Sequence, residues 1–404
     1  MRLAGVLGVR VTRPVRIVRA VSAASERMTV KALNRALLAR QGLLERLDVP
    51  LVQAVEAVGA LQAQYWPAPP VALWSRVASF AAEPFYTALE RGELVTGTLL
   101  RATLHVVSAR EHPAYAAVAA DAAGHHWRRT DAEPGAEVGA LLKQLRAHAA
   151  KTARSGEEIG AFVEDWVAGH PDALDAAELE RQRELKWRPF QRWSALVRAP
   201  ADGAWGTKAP SALIAAPRPR GAPKGDKALD EVVRRHLRAF GPAGPEDVAS
   251  WIGWRTPPVR AAFERLAPDL ARLEDEGGRA LYDLPEAPRP DPDTPAPPRL
   301  LAAFDSVLLA YAVKRRTRIL PDAHRDAVYE RRNLQIRPSY LVDGLVAGTW
   351  SIEVKRRVAT LTLSPLERLA RATRTQLVDE AQRLARALHP QAKAHDVVVE
   401  RRGS

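Results

Sequence analysis

Three times along this chain, a run of short helices gives way to a pair of strands. The third copy is the most legible. Apolar residues recur at helical spacing over 228–240. Gly241-Pro242-Ala243-Gly244-Pro245 turns the chain into a helix reaching Trp251, and 258–266 forms another. Two alternating runs, 271–273 and 280–282, flank a Glu276-Gly277-Gly278-Arg279 turn. Helix, turn, helix, helix, hairpin is the winged-helix order. It argues against a barrel of regularly alternating strands and helices.

The other copies are less regular. In the first, Thr29 can cap a helix running to about Gln41, with Gly42 as its stop. Asp48 and Pro50 open a second helix with an apolar stripe of Leu51, Val55 and Val58. Residues 62–67 end it, and Pro67, Pro69 and Pro70 forbid its continuation. Helices over 73–80 and 84–91 precede a hairpin of 94–98 and 100–107. In the second copy, helices over 136–149, 155–168 and 189–197 precede a wing from 201–206 and 213–216. A Pro/Gly/Lys stretch, 217–227, follows as a linker. The expected units are 28–134, 135–226 and 227–285.

Seven prolines within 285–298 exclude that segment from a core, so 286–299 reads as a linker or a strap across the surface. Beyond it, 300–309, 340–346, 350–354 and 358–363 alternate as strands, with Asp343-Gly344 a hairpin turn. A long helix over 365–388 closes the unit. The expected fold class is therefore α+β: three tandem winged-helix domains and a β-rich, barrel-like C-terminal domain over 300–404. Residues 1–27 carry six arginines against one acid, Glu26. They read as a disordered basic extension, with the functional chain starting at Met28. An Arg-rich, acid-poor start also resembles a transit peptide, and the lack of an h-region of adequate length excludes a secretory signal.

Charge narrows the function. Lys and Arg number 60 against 47 Asp and Glu, a formal charge of +13. Winged helices on a basic chain point to nucleic acid, and three in one chain suggest a clamp around a duplex. Two alternatives stand beside this: a G+C-rich genome raises Arg content without function, and winged helices also bind proteins. The absence of cysteine excludes disulfides, thiol nucleophiles, zinc knuckles and iron–sulfur clusters. No run of 18 apolar residues is present, so no membrane span is expected. There is no phosphate-cradling Gly loop and no G-x-S-x-G. His125-His126 is the only adjacent histidine pair, and neighbours do not face one another on a helix, so no metal site is assigned.

Gln62-Ala63-Gln64 is the most unusual polar feature. In a helix the two amides would point apart by about 200°. In an extended segment, which the following prolines favour, residues i and i+2 share a face and both amides can converge. The plain alternative is that they cap a helix end or satisfy backbone groups.

Several motifs occur in order: Leu61-Gln62-Ala63-Gln64-Tyr65, Arg101-Ala102-Thr103-Leu104-His105, His236 through Ala243 leading to Trp251-Ile252-Gly253, Ala302-Ala303-Phe304-Asp305, and Leu341-Val342-Asp343-Gly344 with Gly348-Thr349-Trp350. Together they resemble the AlkZ/YcaQ-type winged-helix DNA glycosylases, over roughly 30–388. The resemblance implies tandem winged helices, a β-rich C-terminal domain and a concave DNA-binding face. It casts Gln62 and Gln64 as the catalytic pair, in the double-glutamine form. The small Ala63 departs from the bulkier middle residue of the family motif. The implied partner is double-stranded DNA carrying alkylated bases or interstrand crosslinks, acted on by a cytoplasmic, nucleoid-associated monomer that needs no cofactor.

Residue chemistry fits that implication. An amide is neither acid nor base near pH 7, but its carbonyl can hold water and favour a developing oxocarbenium ion. This is adequate when the base leaves easily, as a cationic N7-alkylpurine does. No lysine stands beside the motif, so no Schiff-base step is expected. Six further residues are assigned to DNA contact. Arg101 and His105, read as one strand face, can meet phosphate or stabilise the wing. Arg315, Arg316 and Arg318 form a basic cluster for phosphate or a solvated face. Trp66 can sit beside the lesion or in the core. The competing functions are a winged-helix transcriptional regulator without catalysis, and an adaptor that binds protein.

Overall fold

The computed structural model describes residues 26–123, 136–193, 195–330, 332 and 334–401. His125 and His126 lie outside them. The first helix forms where its cap and stop predict. Thr29 accepts from the Ala32 amide at 3.0 Å at the start of α1 (Val30–Arg40), and Gly42 adopts a φ of +64° just past its end. A Cβ on Gly42 would lie 2.6 Å from the Arg76 carbonyl, so only glycine fits. Before α1, β1 (Glu26–Met28) pairs in parallel with a strand of the third copy, and Met28 is buried. Glu26 and Arg27 are thus part of the fold, a correction to an extension ending at 27; residues 1–25 lie outside the described segments.

α2 (Leu51–Val58) buries Ala54, Val55 and Val58 and ends at Gly59, φ +81°. The chain then extends as β2 (Leu61–Gln62). α2 does not continue through the prolines; Pro69 and Pro70 lie in the first turn of α3 (Ala68–Arg76), where their missing N–H groups are orphans anyway, so this helix starts earlier than the expected 73. α4 (Ala82–Glu90), β3 (Leu94–Thr98), β4 (Leu104–Ser108) and α5 (His112–Ala123) complete the first copy.

The second copy runs α6 (Ala136–His148), α7 (Gly156–Ala168), α8 (Ala176–Glu184), α9 (Arg188–Gln191), β5 (Leu196–Ala199) and β6 (Ala212–Ala215). The expected helix over 189–197 is four residues long and then becomes β5. The hairpins of the two copies do not stand apart. Gly97 of β3 pairs with Val197 of β5, giving one five-stranded sheet of order β2-β4-β3-β5-β6.

The third copy is α10 (Gly225–Phe240), α11 (Pro245–Ile252), α12 (Thr256–Leu266), β7 (Ala271–Asp275) and β8 (Ala280–Asp283). The β7–β8 hairpin takes up β1 as a third strand. The C-terminal segment runs β9 (Arg299–Leu301), α13 (Arg325–Val328), β10 (Tyr329–Glu330), β11 (Gln335–Ile336), β12 (Ser339–Val342), β13 (Leu345–Lys355), β14 (Val358–Pro365), α14 (Arg371–Leu388) and β15 (Ala394–Val399). Only two residues of the expected 300–309 strand, Leu300 and Leu301, fall in β9. Pro365 closes β14 opposite Gly348, so the closing helix starts later than predicted.

This sheet has the order β15-β14-β13-β12-β9 and two free edges. It is an open mixed sheet, not a barrel. β14 and β15 run parallel, joined by α14 as a crossover, which lays a helix on the sheet instead of closing it. Nor is the segment a separate bead. Tyr311, Ile319 and Leu341 share a core with Trp251 and Phe240 of the third copy. Leu300, Tyr340, Trp350 and Leu377 share another with α2–α4 of the first. Buried, bidentate ion pairs cross these units: Arg76–Asp305 joins the first copy to the C-terminal segment, and Arg40–Asp283 joins the first copy to the third. The proline-rich segment is a strap over α1: Arg35 Nε donates to Thr294 O and Lys31 pairs with Asp293. No helix among the described residues is long and apolar enough to cross a membrane.

Candidate active site

The prolines after residue 66 and Gly59 before it bracket an extended segment, so Gln62 and Gln64 do share a side. β2 pairs with β4, placing Gln62 opposite His105, and the Ala63 amide donates to Leu104 O at 2.7 Å. The Ala63 methyl is buried in the core shared with α3. Its flanking glutamines point the other way, and both reach the turn between β3 and β4. Gln62 Oε1 accepts from Arg101 Nη2 at 2.9 Å. Gln64 Oε1 accepts from the Leu104 amide at a longer 3.3 Å. A guanidinium only donates, so the Gln62 amide must present its oxygen to Arg101. Gln62 is 7% exposed, whereas Gln64 is exposed and Tyr65 is 53% exposed. One amide is thus held and buried, the other weakly tethered at the surface. Neither has a carboxylate partner among the described residues.

Arg101 departs from the sequence reading. It is not on a strand. Residues Leu100–Ala102 form a tight 3₁₀ turn, and Arg101 and Ala102 have φ of +52° and +55°. Arg101 and His105 therefore do not share a strand face. Arg101 Nη1 also donates to the Trp251 carbonyl at the end of α11. Burial pushes its guanidinium down to about 10, and the positive charge of Arg316 adds to the effect. Arg101 remains a cation at neutral pH.

Comparison with known proteins identifies the family. A family model described as DNA glycosylase AlkZ-like matches residues 55–387. The chain belongs to the AlkZ-like DNA glycosylase family. An interstrand DNA cross-link repair glycosylase of Streptomyces sahachiroi is 31% identical over 142 residues. That match takes in 34% of this chain and 38% of the relative, so it spans well under half of the relative's length. The solved structure of S. sahachiroi DNA glycosylase AlkZ is similar at a TM-score of 0.74 and 20% identity, covering 93% of this chain and all of that one. At such identity the likeness bears on the fold.

Family membership leaves each remaining residue to be placed by its own contacts. His105 is buried, bonded through Nδ1 to Thr103 O at 2.9 Å. Burial, with the Arg101 charge beside it, pushes its imidazole down to about 3, so it is neutral and holds the hairpin. Trp66 is a core residue. Its Nε1 donates to Gly206 O at 2.8 Å, and its ring packs 5.9 Å from Trp205, tying the first copy to the second. Arg318 is 3% exposed, lies over the Tyr311 ring at 4.1 Å and donates to Pro242 O. Arg315 is 3.4 Å from both Glu246 and Asp247. Burial would raise the Asp247 carboxyl, but Arg318, Arg279 and Arg315 together hold it below its usual range. Two of the three clustered arginines therefore neutralise a buried aspartate. Arg316 donates from Nε to Tyr311 O at 3.0 Å and from Nη1 to the Tyr329 hydroxyl at 3.2 Å, and its charge is felt at Arg101.

Sequence reasoning gave no role to the Trp251 carbonyl or to Gly253, although both residues fall in the Trp251-Ile252-Gly253 motif. A carbonyl carries no side-chain signal. Gly253 has one: it sits at the end of α11 with φ +89°, and a Cβ there would lie 3.1 Å from Arg101 Cα. Among the described residues, no cluster of three or more His, Asp or Glu could hold a metal ion.

Proposed function

We propose that this chain is a monofunctional DNA glycosylase that hydrolyses the N-glycosidic bond of N7-alkylated purines, including bulky adducts and interstrand crosslinks. The observation that carries this reading is the pair of amides held against the β3–β4 turn, with no carboxylate partner among the described residues. Such a site has dipoles and no strong base. The second lone pair of Gln62 Oε1 can hold a water, and the exposed Gln64 amide can meet the sugar or the departing base. Both favour positive charge moving from an alkylated purine onto its sugar. An unmodified purine is too poor a leaving group for so mild a site.

Exposure of Gln64 and Tyr65 supports the substrate size. Many glycosylases draw the base fully into a snug pocket. A base tied to the opposite strand cannot leave the duplex, so its enzyme must bring the catalytic groups to the surface. In this reading the three helix–hairpin copies act as tandem winged helices that form a concave clamp, and the chain works as a monomer on chromosomal DNA. Arg316 is the predicted phosphate contact nearest the site, with Arg315 at its rim.

The test uses the full chain on a duplex bearing one N7-methylguanine, with alkaline cleavage of abasic sites, then a crosslinked duplex. Excision by the native chain that the Gln62→Ala/Gln64→Ala variant loses is the expected result. Equal excision by both would remove the assignment of the glutamine pair. Salt-sensitive binding without excision of either lesion would overturn the proposed reaction.

A further inference from the structure

The β3–β4 turn is the most strained backbone near the site, and nothing in its sequence calls for strain. Arg101 and Ala102 are consecutive non-glycine residues in the left-handed region. Such conformations persist when the surroundings over-determine them, and they concentrate at functional sites. Here the constraints are visible. Leu99 N donates to Thr103 O at 3.0 Å, closing the turn. One arm of the Arg101 guanidinium holds Gln62 Oε1 and the other holds the Trp251 carbonyl. Gly253 passes under the Arg101 backbone closely enough that a Cβ would meet its Cα at 3.1 Å and its Cγ at 3.2 Å. Trp251 itself is anchored by edge-on packing against Tyr115, His236 and Phe240.

We propose that Arg101 is a positioning residue for the glycosylase reaction: it fixes the orientation of the Gln62 amide and references it to the buried end of α11. The proposal rests on the reading of Gln62 as a catalytic group. Its logic is preorganisation. A glutamine amide turns freely about its last torsion, and its two ends differ only in sign of dipole. A reversed amide would present N–H donors toward the attacking water and the developing cation. The guanidinium, which has donors only, forbids the reversed state on that side. The bond also spans the chain. Residues 62, 101 and 251 come from the first and third copies, so catalysis depends on their docking. The alternative role for Arg101, contact with a DNA phosphate, is disfavoured because both terminal nitrogens already serve protein acceptors.

Single-turnover excision and duplex affinity separate these roles. Gln62→Ala comes first and should abolish excision. Arg101→Ala should then slow the single-turnover rate by about 10- to 100-fold, the range expected for losing one charge-assisted hydrogen bond. Its affinity for the duplex, and the dependence of that affinity on salt, should stay unchanged. Arg101→Lys should recover part of the rate. Any residual rate that Gln62→Ala leaves should not fall further with Arg101→Ala, because the two residues act as a unit. Gly253→Ala leaves both side chains in place but pushes on Arg101, and should also slow excision without weakening binding. A full single-turnover rate for Arg101→Ala, beside an inactive Gln62→Ala, would overturn the proposal and leave the Gln62 reading intact. So would a loss of affinity with a salt slope reduced by about one, which marks a phosphate contact. A full rate for Gln62→Ala would overturn the underlying reading and this proposal with it.

Discussion

Asp305→Ala should be among the most damaging single substitutions in this protein, and the structure allows its cost to be worked out. Asp305 and Arg76 form a bidentate pair, with Nη2 to Oδ1 at 2.6 Å and Nη1 to Oδ2 at 3.0 Å. Their side chains are 0% and 1% exposed. Removing the carboxylate leaves a guanidinium in the core with only the Ala72 carbonyl and Gln41 Oε1 as acceptors, at 3.0 and 3.2 Å. Breaking one side of such a buried pair costs about 3–5 kcal/mol. Asp305 also accepts from the Val307 amide at the start of a 3₁₀ turn, and losing that cap adds roughly 1 kcal/mol. Even the low end shifts the folding equilibrium by on the order of a thousandfold. Asp305→Asn keeps the shape and one acceptor, so its loss should be about half as large. The joint change Arg76→Met/Asp305→Leu should recover most of the stability, because it strands no charge. Urea unfolding followed by tryptophan fluorescence reads all three as shifts in midpoint. Because Ser306 Oγ donates to Ala60 O, two residues ahead of Gln62, loosening this corner should also slow excision while the variant is still folded. An Asp305→Ala midpoint shift worth less than 1 kcal/mol at unchanged slope would refute the reasoning, since it would mean Arg76 finds water or another partner.

Other consequences are independent of that pair. His112 is buried with neither ring nitrogen bonded, and burial, with the Arg146 charge adding to it, pushes its imidazole down to about 4. Between pH 6.5 and 4 the unfolded chain therefore binds a proton that the native chain does not. Native stability falls on acidification through that window, at up to about 1.4 kcal/mol per pH unit for this group. His112→Phe should lose this slope, so its stability relative to the native chain should rise steadily from pH 6.5 to 4; a constant difference would sink the argument. Trp66→Phe should lower stability by roughly 1 kcal/mol through the lost bond to Gly206, while duplex affinity, read by fluorescence anisotropy, should not move. Arg318→Met should lower the thermal midpoint and leave the salt slope of DNA binding alone, whereas Arg316→Ala should reduce that slope by about one. The reverse pattern would exchange their roles.

What could be read in advance divides along a physical line. Features set by local chemistry were legible: the Thr29 cap, the Gly42 stop, the Asp343-Gly344 turn and the extended course of Gln62-Ala63-Gln64 all follow from preferences of a few adjacent residues. α8 was not legible because it is polar nearly throughout, with only Gln182 buried, so it carries no apolar stripe. β15 was not, because its partner β14 lies across a helix and parallel pairing has no turn to announce it. Arg101 is the instructive case. Alternation over 100–107 predicts a strand, and no glycine marks the two left-handed residues that interrupt it. The turn is bent by contacts from residues 62, 251 and 253, and two of its three anchors are a backbone carbonyl and a missing Cβ. The motifs that suggest the family describe the same network from the side-chain end. Gln62, Arg101 and Trp251-Ile252-Gly253 are far apart in the chain, and Arg101 touches both of the others. In this chain the separated motifs are therefore one contact network, in which the close approach of Gly253 and the Trp251 carbonyl hold the Arg101 turn that holds the Gln62 amide.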